Sequence, residues 1–156
     1  MVSCDCCAGK YLGWSGEAGS ANMYAELNTC WDAMLAEGRI TASEHKEATF
    51  CNYYRTEAEL RAPFEDGSLG LQLQSLEWRS VTCPFGRGKG SPADVVGTVR
   101  TWSNSTFLSA LSEERSPLER SLLVDHLYDT YADRIAAAPE AHHMDYTHAY
   151  LHFVKL

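Results

Sequence analysis

The 156-residue sequence lacks a long hydrophobic run, and its charged residues are mostly acidic. No stretch approaches the roughly 18 consecutive apolar residues that cross a bilayer, and the first residues lack the pattern of a signal peptide. Thirteen Lys and Arg residues stand against 21 Asp and Glu residues, a formal net charge of −8. Because phosphates and anionic membranes are bound by basic surfaces, we expect neither a nucleic-acid nor a membrane partner, and a cytoplasmic location.

The common phosphate-binding and acyl-transfer motifs are also missing. The glycine-rich segment Gly86–Gly90 (GRGKG) could cradle a phosphate through its backbone N–H groups. It has neither the Walker spacing nor the Gly-x-Gly-x-x-Gly order, so a flexible connection is the favoured interpretation. We find no Ser-His-Asp arrangement with a nucleophile elbow, so nothing supports acyl transfer.

Cysteine and histidine residues are present, but their spacing does not favour a metal site. Six cysteines without a secretory signal predict reduced, buried thiols. Cys4 and Cys6 would share one face of a strand, and no second CxxC pair completes a zinc site. His148 and His152 have a helical zinc spacing, but on a strand they would lie about 13 Å apart. We expect no bound metal.

Three segments of the sequence are typical of β-strands. Asp145–Leu156 alternates with apolar residues on both faces, which favours an inner strand of an α/β sheet. The other two strands are expected at Met1–Cys7 and Leu69–Thr82. In Leu69–Thr82 the alternation of leucines slips phase after Leu73, which predicts a β-bulge. The fold class expected is therefore α/β.

Amphipathic helices separate these strands. A helix from about Ala21 to Glu37 carries one apolar stripe, formed by Met23, Leu27, Cys30, Trp31 and Met34. Further helix starts are expected at Thr41, Thr56, Ser91 and Ser116, from capping boxes or Ser-Pro pairs. The last helix should run about twenty residues to Pro139. Its predicted stripe is Leu118, Leu122, Leu123, Leu127, Tyr131 and Ile135.

Four aromatic residues stand beside turns or helix starts on separate elements: Tyr24, Tyr53, Trp102 and Tyr146. Aromatic residues in such positions usually belong to the core. A convergent aromatic pocket is the alternative interpretation, and periodicity alone does not decide between the two.

The order of segments along the chain resembles the C-terminal half of the SABATH family, the plant-type carboxyl methyltransferases that use S-adenosylmethionine. MYAELNTCWDAMLAEGRIT is similar to the family's helix after the fifth strand with its "MVxEGLI"-like turn, and YYRTEAEL to "YxPSxEEv". GLQLQSLEW is similar to "sFxIxxLE", and VRTWSNSTFLSAL to the "RAvxEPLL" cap helix. LYDTYADRIAAAP followed by DYTHAYLHFVKL resembles the last helix and strand. Each motif alone is loose, so order and spacing carry the resemblance.

The resemblance implies a Rossmann-like methyltransferase sheet, of which this chain supplies the last three strands. Residues 1–156 would form a single partial domain, with a helical cap at about 21–65 and 91–138. The cofactor S-adenosyl-L-methionine would be held by residues upstream of Met1, so the chain alone is expected to be inactive. Ligands of such sheets bind at the carboxyl ends of the strands.

The family's acceptor-binding positions fall on Met23, Tyr24, Tyr53, Val99, Trp102 and Tyr146 by this resemblance. They would bind a small-molecule carboxylate or a similar oxygen acceptor. Methyl transfer from a sulfonium needs alignment and a dry pocket rather than a base, so no catalytic acid or base is expected here.

The sequence departs from the family at two places. The Asp-x-Phe-Asn piece of a magnesium site would align near Lys46–Thr49, where this chain has Lys-Glu-Ala-Thr, so magnesium is not expected. The family's Glu-Pro is replaced by Asn104-Ser105, so acceptor identity does not carry over. The alternative function is a non-catalytic α/β ligand-binding or interaction module derived from that fold. Such a module would expose a sheet edge and could form a homodimer.

Overall fold

The computed structural model describes residues 6–7, 10–11, 23–50 and 55–156, with residues 6–7, 10–11 and Tyr146 described by their backbone alone. The chain is α/β, and its residues divide into two compact units. The sheet unit comprises residues 1–18, 52–83 and 144–156, and the helical unit comprises residues 19–51 and 84–143.

Each unit has its own set of elements. The described elements of the sheet unit are β1 (Cys6–Cys7), β2 (Lys10–Tyr11), α3 (Glu57–Arg61), a 3₁₀ turn (Ala62–Phe64), β3 (Leu71–Val81) and β4 (Tyr146–Lys155). Those of the helical unit are α1 (Met23–Ala36), α2 (Ala42–Glu47), α4 (Pro92–Ala110), α5 (Pro117–Ala137) and a 3₁₀ turn (Pro139–Ala141).

The two long strands, β3 and β4, form an antiparallel ribbon. Their register runs from Leu71 opposite Lys155 to Val81 opposite Tyr146, and it shifts between Leu73 and Ser75. This shift confirms the bulge predicted from the leucine phase slip. Among the described residues β4 pairs with β3 alone, so the expected inner strand is an edge strand there.

The third expected strand, Met1–Cys7, lies mostly outside the described residues. Its described part, Cys6–Cys7, pairs antiparallel with Lys10–Tyr11 in a separate two-stranded sheet. Within the described part of the chain it therefore does not extend the ribbon, and the expected three-stranded sheet is not formed there.

One face of the ribbon packs against α3 and the turn after it. Leu60 of α3 and Ala149 of β4 are buried together, and the half-buried residues Leu76, Trp78 and Leu151 pack around them. Because alternate residues of a strand share a face, paired residues of both strands reach this small core. At the far end of the ribbon the rings of Phe64 and Phe153 stack, with centroids 5.8 Å apart.

All four predicted helix starts are confirmed. The side chains of Thr41, Thr56, Ser91 and Ser116 each accept a hydrogen bond from the backbone N–H three residues on. In the first three, the acidic residue at that position accepts a bond back from the cap's own N–H, which completes a capping box. A cap of this kind stabilises a helix by about 1 kcal/mol.

The helical unit buries the whole predicted stripe of α1: Met23, Leu27, Cys30, Trp31 and Met34. The stripe predicted for α5 was partly wrong, because Leu118 and Leu122 are 70% and 58% exposed. At 3.6 residues per turn, Leu118 and Tyr131 point roughly 140° apart, so they cannot share one face. The buried face of α5 is formed instead by Val124, Leu127, Tyr128, Tyr131 and Ile135.

In the described ranges, no helix combines the length and the apolar character that crossing a membrane requires.

Candidate functional site

The structure places four of the six predicted acceptor-binding residues in the helical unit. Met23 and Tyr24 begin α1, and Val99 and Trp102 lie on neighbouring turns of α4. Tyr53 lies outside the described residues. Tyr146 is the first residue of β4 in the sheet unit, where its backbone is paired with Val81.

Tyr24 and Trp102 meet, although α1 and α4 are far apart in sequence. Their ring centroids are 5.4 Å apart with a tilted geometry. Phe50 completes an aromatic triangle, with centroids 5.5 Å from Tyr24 and 5.6 Å from Trp102. All three residues are half-buried, so each keeps part of its surface exposed.

Behind the aromatic triangle lies a buried aromatic layer. Phe50 contacts Phe107 edge-on at 5.5 Å, and Phe107 is fully buried. Phe107 in turn contacts Trp31 at 5.1 Å and Tyr128 at 6.4 Å. Edge-to-face and tilted pairs at these separations are favourable beyond the area they bury. The aromatic triangle therefore packs against a layer of buried rings.

The other two predicted residues belong to the core rather than to the open face. Val99 is fully buried and Met23 is 4% exposed. Sequence reasoning missed Phe50, because this residue lies outside any helical or strand periodicity, three residues after the end of the short polar helix α2. Its only signal is a large apolar residue shortly after a polar, well-capped helix.

Contacts between α4 and α5 hold the turn of α4 that carries Trp102. Arg100 lies over the ring of Tyr128, 4.8 Å from its centroid, and its guanidinium pairs with Asp125. One turn away, the hydroxyl groups of Ser103 and Tyr128 are 2.7 Å apart in the buried interior. Burial is the main reason that the pKa of Tyr128 is raised, so its hydroxyl stays protonated.

A shallow groove of about 720 Å³ lies elsewhere in the helical unit, around the ion pair of Glu44 and Arg115. Glu44 is buried and accepts hydrogen bonds from the backbone N–H groups of Thr41 and Ser112 as well as from Arg115. These bonds lower the pKa of Glu44 to about 2, the Arg115 guanidinium having the largest effect. A carboxylate so fully engaged does not serve as a general acid or base near neutral pH.

Backbone hydrogen bonds hold the glycine-rich loop Gly86–Gly90 to the segment after α5. Arg87 donates its backbone N–H to the carbonyl oxygen of His142, and Gly88 donates to that of Pro139. The backbone N–H groups of Lys89 and Gly90 bond within the loop. With these four donors engaged, the loop presents no cradle for a phosphate.

The sequence predicted reduced, buried thiols, and the two cysteines whose side chains are described agree with this prediction. Cys30 and Cys83 are free and buried. Burial raises the pKa of Cys30 to about 11, so this thiol is neutral and unreactive at physiological pH. The side chains of the other cysteines lie outside the described residues.

The described part of the chain holds no group of three or more His, Cys, Asp or Glu side chains arranged to bind a metal ion. His148 and His152 both lie on β4, as the sequence predicted.

The aromatic triangle is thus the best candidate for a ligand-binding surface. Three half-buried rings lie together above fully buried ones, and Tyr24 adds a hydroxyl group. A flat, apolar or aromatic ligand suits such a surface. Comparison with protein families and with curated proteins finds no match, so the assignment depends on the geometry of the site.

Proposed function

We propose that the chain is the acceptor-binding part of an S-adenosylmethionine-dependent methyltransferase that acts on a small-molecule carboxylate or a similar oxygen acceptor. The main support is the contact between Tyr24 and Trp102. Two of the acceptor positions implied by the resemblance, on different helices, have ring centroids 5.4 Å apart. Both residues are only partly buried, whereas Met23 and Val99 beside them in the helical unit are enclosed.

The chemistry of the proposed reaction fits an aromatic surface without a catalytic base. Transfer of a methyl group to a carboxylate neutralises charge, so it is favoured by alignment and by exclusion of water. In the described ranges the aromatic triangle contains no acid or base, and Glu44 is engaged in its ion pair. This chain would bind and orient the acceptor.

The glycine-rich loop Gly86–Gly90 does not fit the methyl donor. The donor's adenosine and sulfonium groups would need a glycine-rich turn with free backbone donors and an acidic partner for the ribose. The one described glycine-rich loop uses its N–H groups internally. The proposal therefore assigns acceptor binding, and no step of donor binding, to this part of the chain.

The antiparallel pair of β3 and β4 is compatible with the proposed fold. Doubly wound α/β sheets often carry an antiparallel strand beside otherwise parallel ones, and β3 and β4 form such an antiparallel pair. A Rossmann-like sheet remains part of the proposal.

Binding of a small aromatic acid to the purified chain tests the proposal. Titration calorimetry with benzoate should give saturable binding that Trp102→Ala weakens about fivefold, since one aromatic contact contributes about 1 kcal/mol. The matched control is Trp102→Phe, which keeps a ring and should retain most of the affinity. Absence of benzoate binding, or equal affinity in all three proteins, would contradict the proposal.

The second candidate is a non-catalytic interaction module that associates through its sheet. The observation that favours it is the edge of β4, which has no strand partner among the described residues. Near the end of this strand Phe153 and Val154 are 47% and 40% exposed. Exposed strand edges with apolar side chains tend to pair with other chains. Sedimentation velocity would show a dimer that Val154→Lys dissociates.

A further inference from the structure

The outer face of α5 combines exposed leucines with a row of aspartates. Leu118, Leu122, Asp125, Asp129 and Asp133 all lie within roughly 80° of one another around the helix, at 3.6 residues per turn. We call this set the leucine-aspartate face. It occupies the side of α5 opposite to the residues that the helical unit buries.

The leucines of this face are unusually open. Leu118 is 70% exposed and Leu122 is 58% exposed, and they stand one helical turn apart. Single exposed apolar residues are normal on protein surfaces. Two leucines at i and i+4 instead make a continuous apolar patch of the kind that a neighbouring helix covers.

The aspartates make the same face acidic. Asp125 pairs with Arg100, while Asp129 and Asp133 lie exposed in the next two turns. Like charges at i and i+4 repel each other and destabilise a free helix. The basic residues of α5 do not relieve this repulsion, because Arg120 and Arg134 point roughly 160° away from Leu118.

The acidic character continues beyond the N-terminal end of α5. The groove around Glu44 and Arg115 is lined there by the exposed residues Glu113 and Glu114, and by Glu119 in the first turn of α5, which pairs with Arg115. Leucines flanked on both sides by carboxylates are complementary to an apolar stripe flanked by lysine or arginine.

We propose that the leucine-aspartate face is a docking site for a basic amphipathic helix of a partner protein. The partner helix would place apolar side chains on Leu118 and Leu122. Its lysine or arginine side chains would lie beside Asp129 and Asp133. Helix-on-helix docking of this kind is recognised through side chains at i, i+3, i+4 and i+7.

A second copy of this chain is a poorer occupant of the same face. Parallel packing of two such helices would set Asp129 and Asp133 against the same aspartates of the other copy. Antiparallel packing would set Leu118 and Leu122 against those aspartates and bury charge without a partner. Both arrangements lack the opposite charge that a basic helix supplies.

The contact between two single helices is small. Leu118 and Asp133 are about 22 Å apart along the helix axis, so the buried area falls below that of a stable complex. We therefore expect micromolar binding that weakens as the salt concentration rises, because much of the attraction is between exposed charges.

A synthetic helical peptide serves as the probe. It has about 18 residues, with leucines at i, i+4 and i+7 and lysines on the flanks, and it carries a fluorophore. Fluorescence anisotropy with the full chain should give saturable binding. A second peptide with glutamate at every lysine position should bind at least tenfold more weakly, as should a scrambled peptide of the same composition.

Variants of the chain locate the site. The double variant Leu118→Ser with Leu122→Ser should bind the lysine peptide at least tenfold more weakly. The double variant Asp129→Lys with Asp133→Lys should also bind the lysine peptide at least tenfold more weakly, and it should bind the glutamate peptide more tightly than the parent chain does. The matched control is Leu69→Ser, since Leu69 is 53% exposed in the sheet unit. All these residues are exposed, so circular dichroism and melting temperature should stay unchanged.

Three results would overturn the proposal. The first is equal binding of the lysine, glutamate and scrambled peptides. The second is an affinity for the lysine peptide that the leucine and aspartate variants leave unchanged. The third is a dimer in sedimentation equilibrium that Leu118→Ser with Leu122→Ser dissociates, because a second copy would then occupy this face.

Discussion

Glu44 and Arg115 form a two-point ion pair that joins α2 to the segment before α5. The Nε of Arg115 lies 2.6 Å from Oε1 of Glu44, and its Nη2 lies 2.9 Å from Oε2. Side-on pairs with two parallel hydrogen bonds are the strongest arginine–carboxylate geometry. The same carboxylate also caps α2 at Thr41 and holds the backbone N–H of Ser112. One buried side chain therefore fixes three segments of the helical unit.

This pair predicts a loss of stability in acid. The pKa of Glu44 is about 2 in the folded chain, below its ordinary value of 4.5. A lowered carboxyl pKa contributes stability in full above the unfolded value, and the contribution is lost as the pH falls through 4.5 towards 2. Replacing Glu44 by Gln should lower the free energy of unfolding by about 3–5 kcal/mol at neutral pH, because it leaves Arg115 without its buried partner. Urea unfolding between pH 7 and pH 3 measures both effects.

The control for Glu44→Gln is Glu113→Gln, since Glu113 is exposed on the rim of the same groove. Glu113→Gln should change stability by less than about 0.5 kcal/mol. The Glu44→Gln protein should also lose less stability between pH 4.5 and pH 3 than the parent chain. If parent and variant show parallel pH profiles, the ion pair is not responsible.

Two glycine positions predict opposite effects of the same substitution. A Cβ on Gly86 would overlap the Cβ and Cα of His143, whereas a Cβ on Gly97, within α4, meets nothing within 4 Å. Gly86→Ala should therefore destabilise the chain by at least about 1–3 kcal/mol through overpacking. Gly97→Ala should stabilise it by about 0.5–1 kcal/mol, because alanine is the better helix former.

Melting temperature measures the glycine pair directly. A change of 1 kcal/mol moves the melting temperature by about 2–4 °C in a chain of this size. If Gly86→Ala raised the melting temperature or left it unchanged, the contact with His143 would not limit the space at Gly86.

Local elements of the fold were predictable because their signals are local. A capping box needs only residues three apart, so Thr41 and Thr56 could be identified as caps, and Ser91 could be identified from the proline that follows it. The bulge after Leu73 followed from the phase of alternate leucines. The exposure of Leu118 was missed because an i, i+4 series drifts around the helix, and only the packed structure shows which face is covered.

The candidate site was predictable in part for the same reason. Tyr24 and Trp102 were named through a resemblance in segment order, and the structure brings their rings together. Phe50 contacts both rings, but its position depends on the path of the chain after α2. No periodicity in the sequence indicates that path. The partners of Glu44 were hidden too, because Ser112 and Arg115 are distant in sequence and come close only when the helices pack.

The buried hydroxyl pair of α4 and α5 predicts an asymmetry between two single substitutions. The hydroxyl of Ser103 donates to the carbonyl oxygen of Val99 at 2.8 Å, so the hydroxyl of Tyr128 is the donor in the 2.7 Å bond between them. Tyr128→Phe removes a donor and leaves Ser103 bonded to Val99, at a cost of about 1 kcal/mol. Ser103→Ala leaves the buried Tyr128 hydroxyl without this acceptor, which should lower the free energy of unfolding by about 1–3 kcal/mol.

Urea unfolding of both single variants and of the double variant tests this asymmetry. The double variant should be less destabilised than the sum of the two single changes, because it removes both members of the pair. Additive losses, or a larger loss for Tyr128→Phe than for Ser103→Ala, would contradict the assignment of Tyr128 as donor.

His142 predicts a second pH effect, nearer to neutral pH. Its imidazole is buried beside the ring of Tyr131, at a centroid distance of 5.8 Å, and its Nδ1 has no hydrogen-bond partner. Burial lowers the pKa of His142 below its ordinary value of 6.5, and the nearby charges of Glu26, Arg134 and His143 have smaller effects. The folded chain therefore resists protonation at this residue.

The sign of the effect follows from that resistance. Below pH 6.5 the unfolded chain binds a proton that the folded chain excludes, so the free energy of unfolding falls as the pH is lowered. The slope of the free energy of unfolding against pH should approach about 1.4 kcal/mol per pH unit for one proton.

His142→Phe keeps a ring against Tyr131 and removes the titrating group. Its free energy of unfolding should therefore depend less on pH between pH 7 and pH 5 than that of the parent. His152→Gln, at an exposed position of β4, is the matched control and should leave the parent's slope intact. A parent slope that survives His142→Phe would assign the proton uptake to another residue.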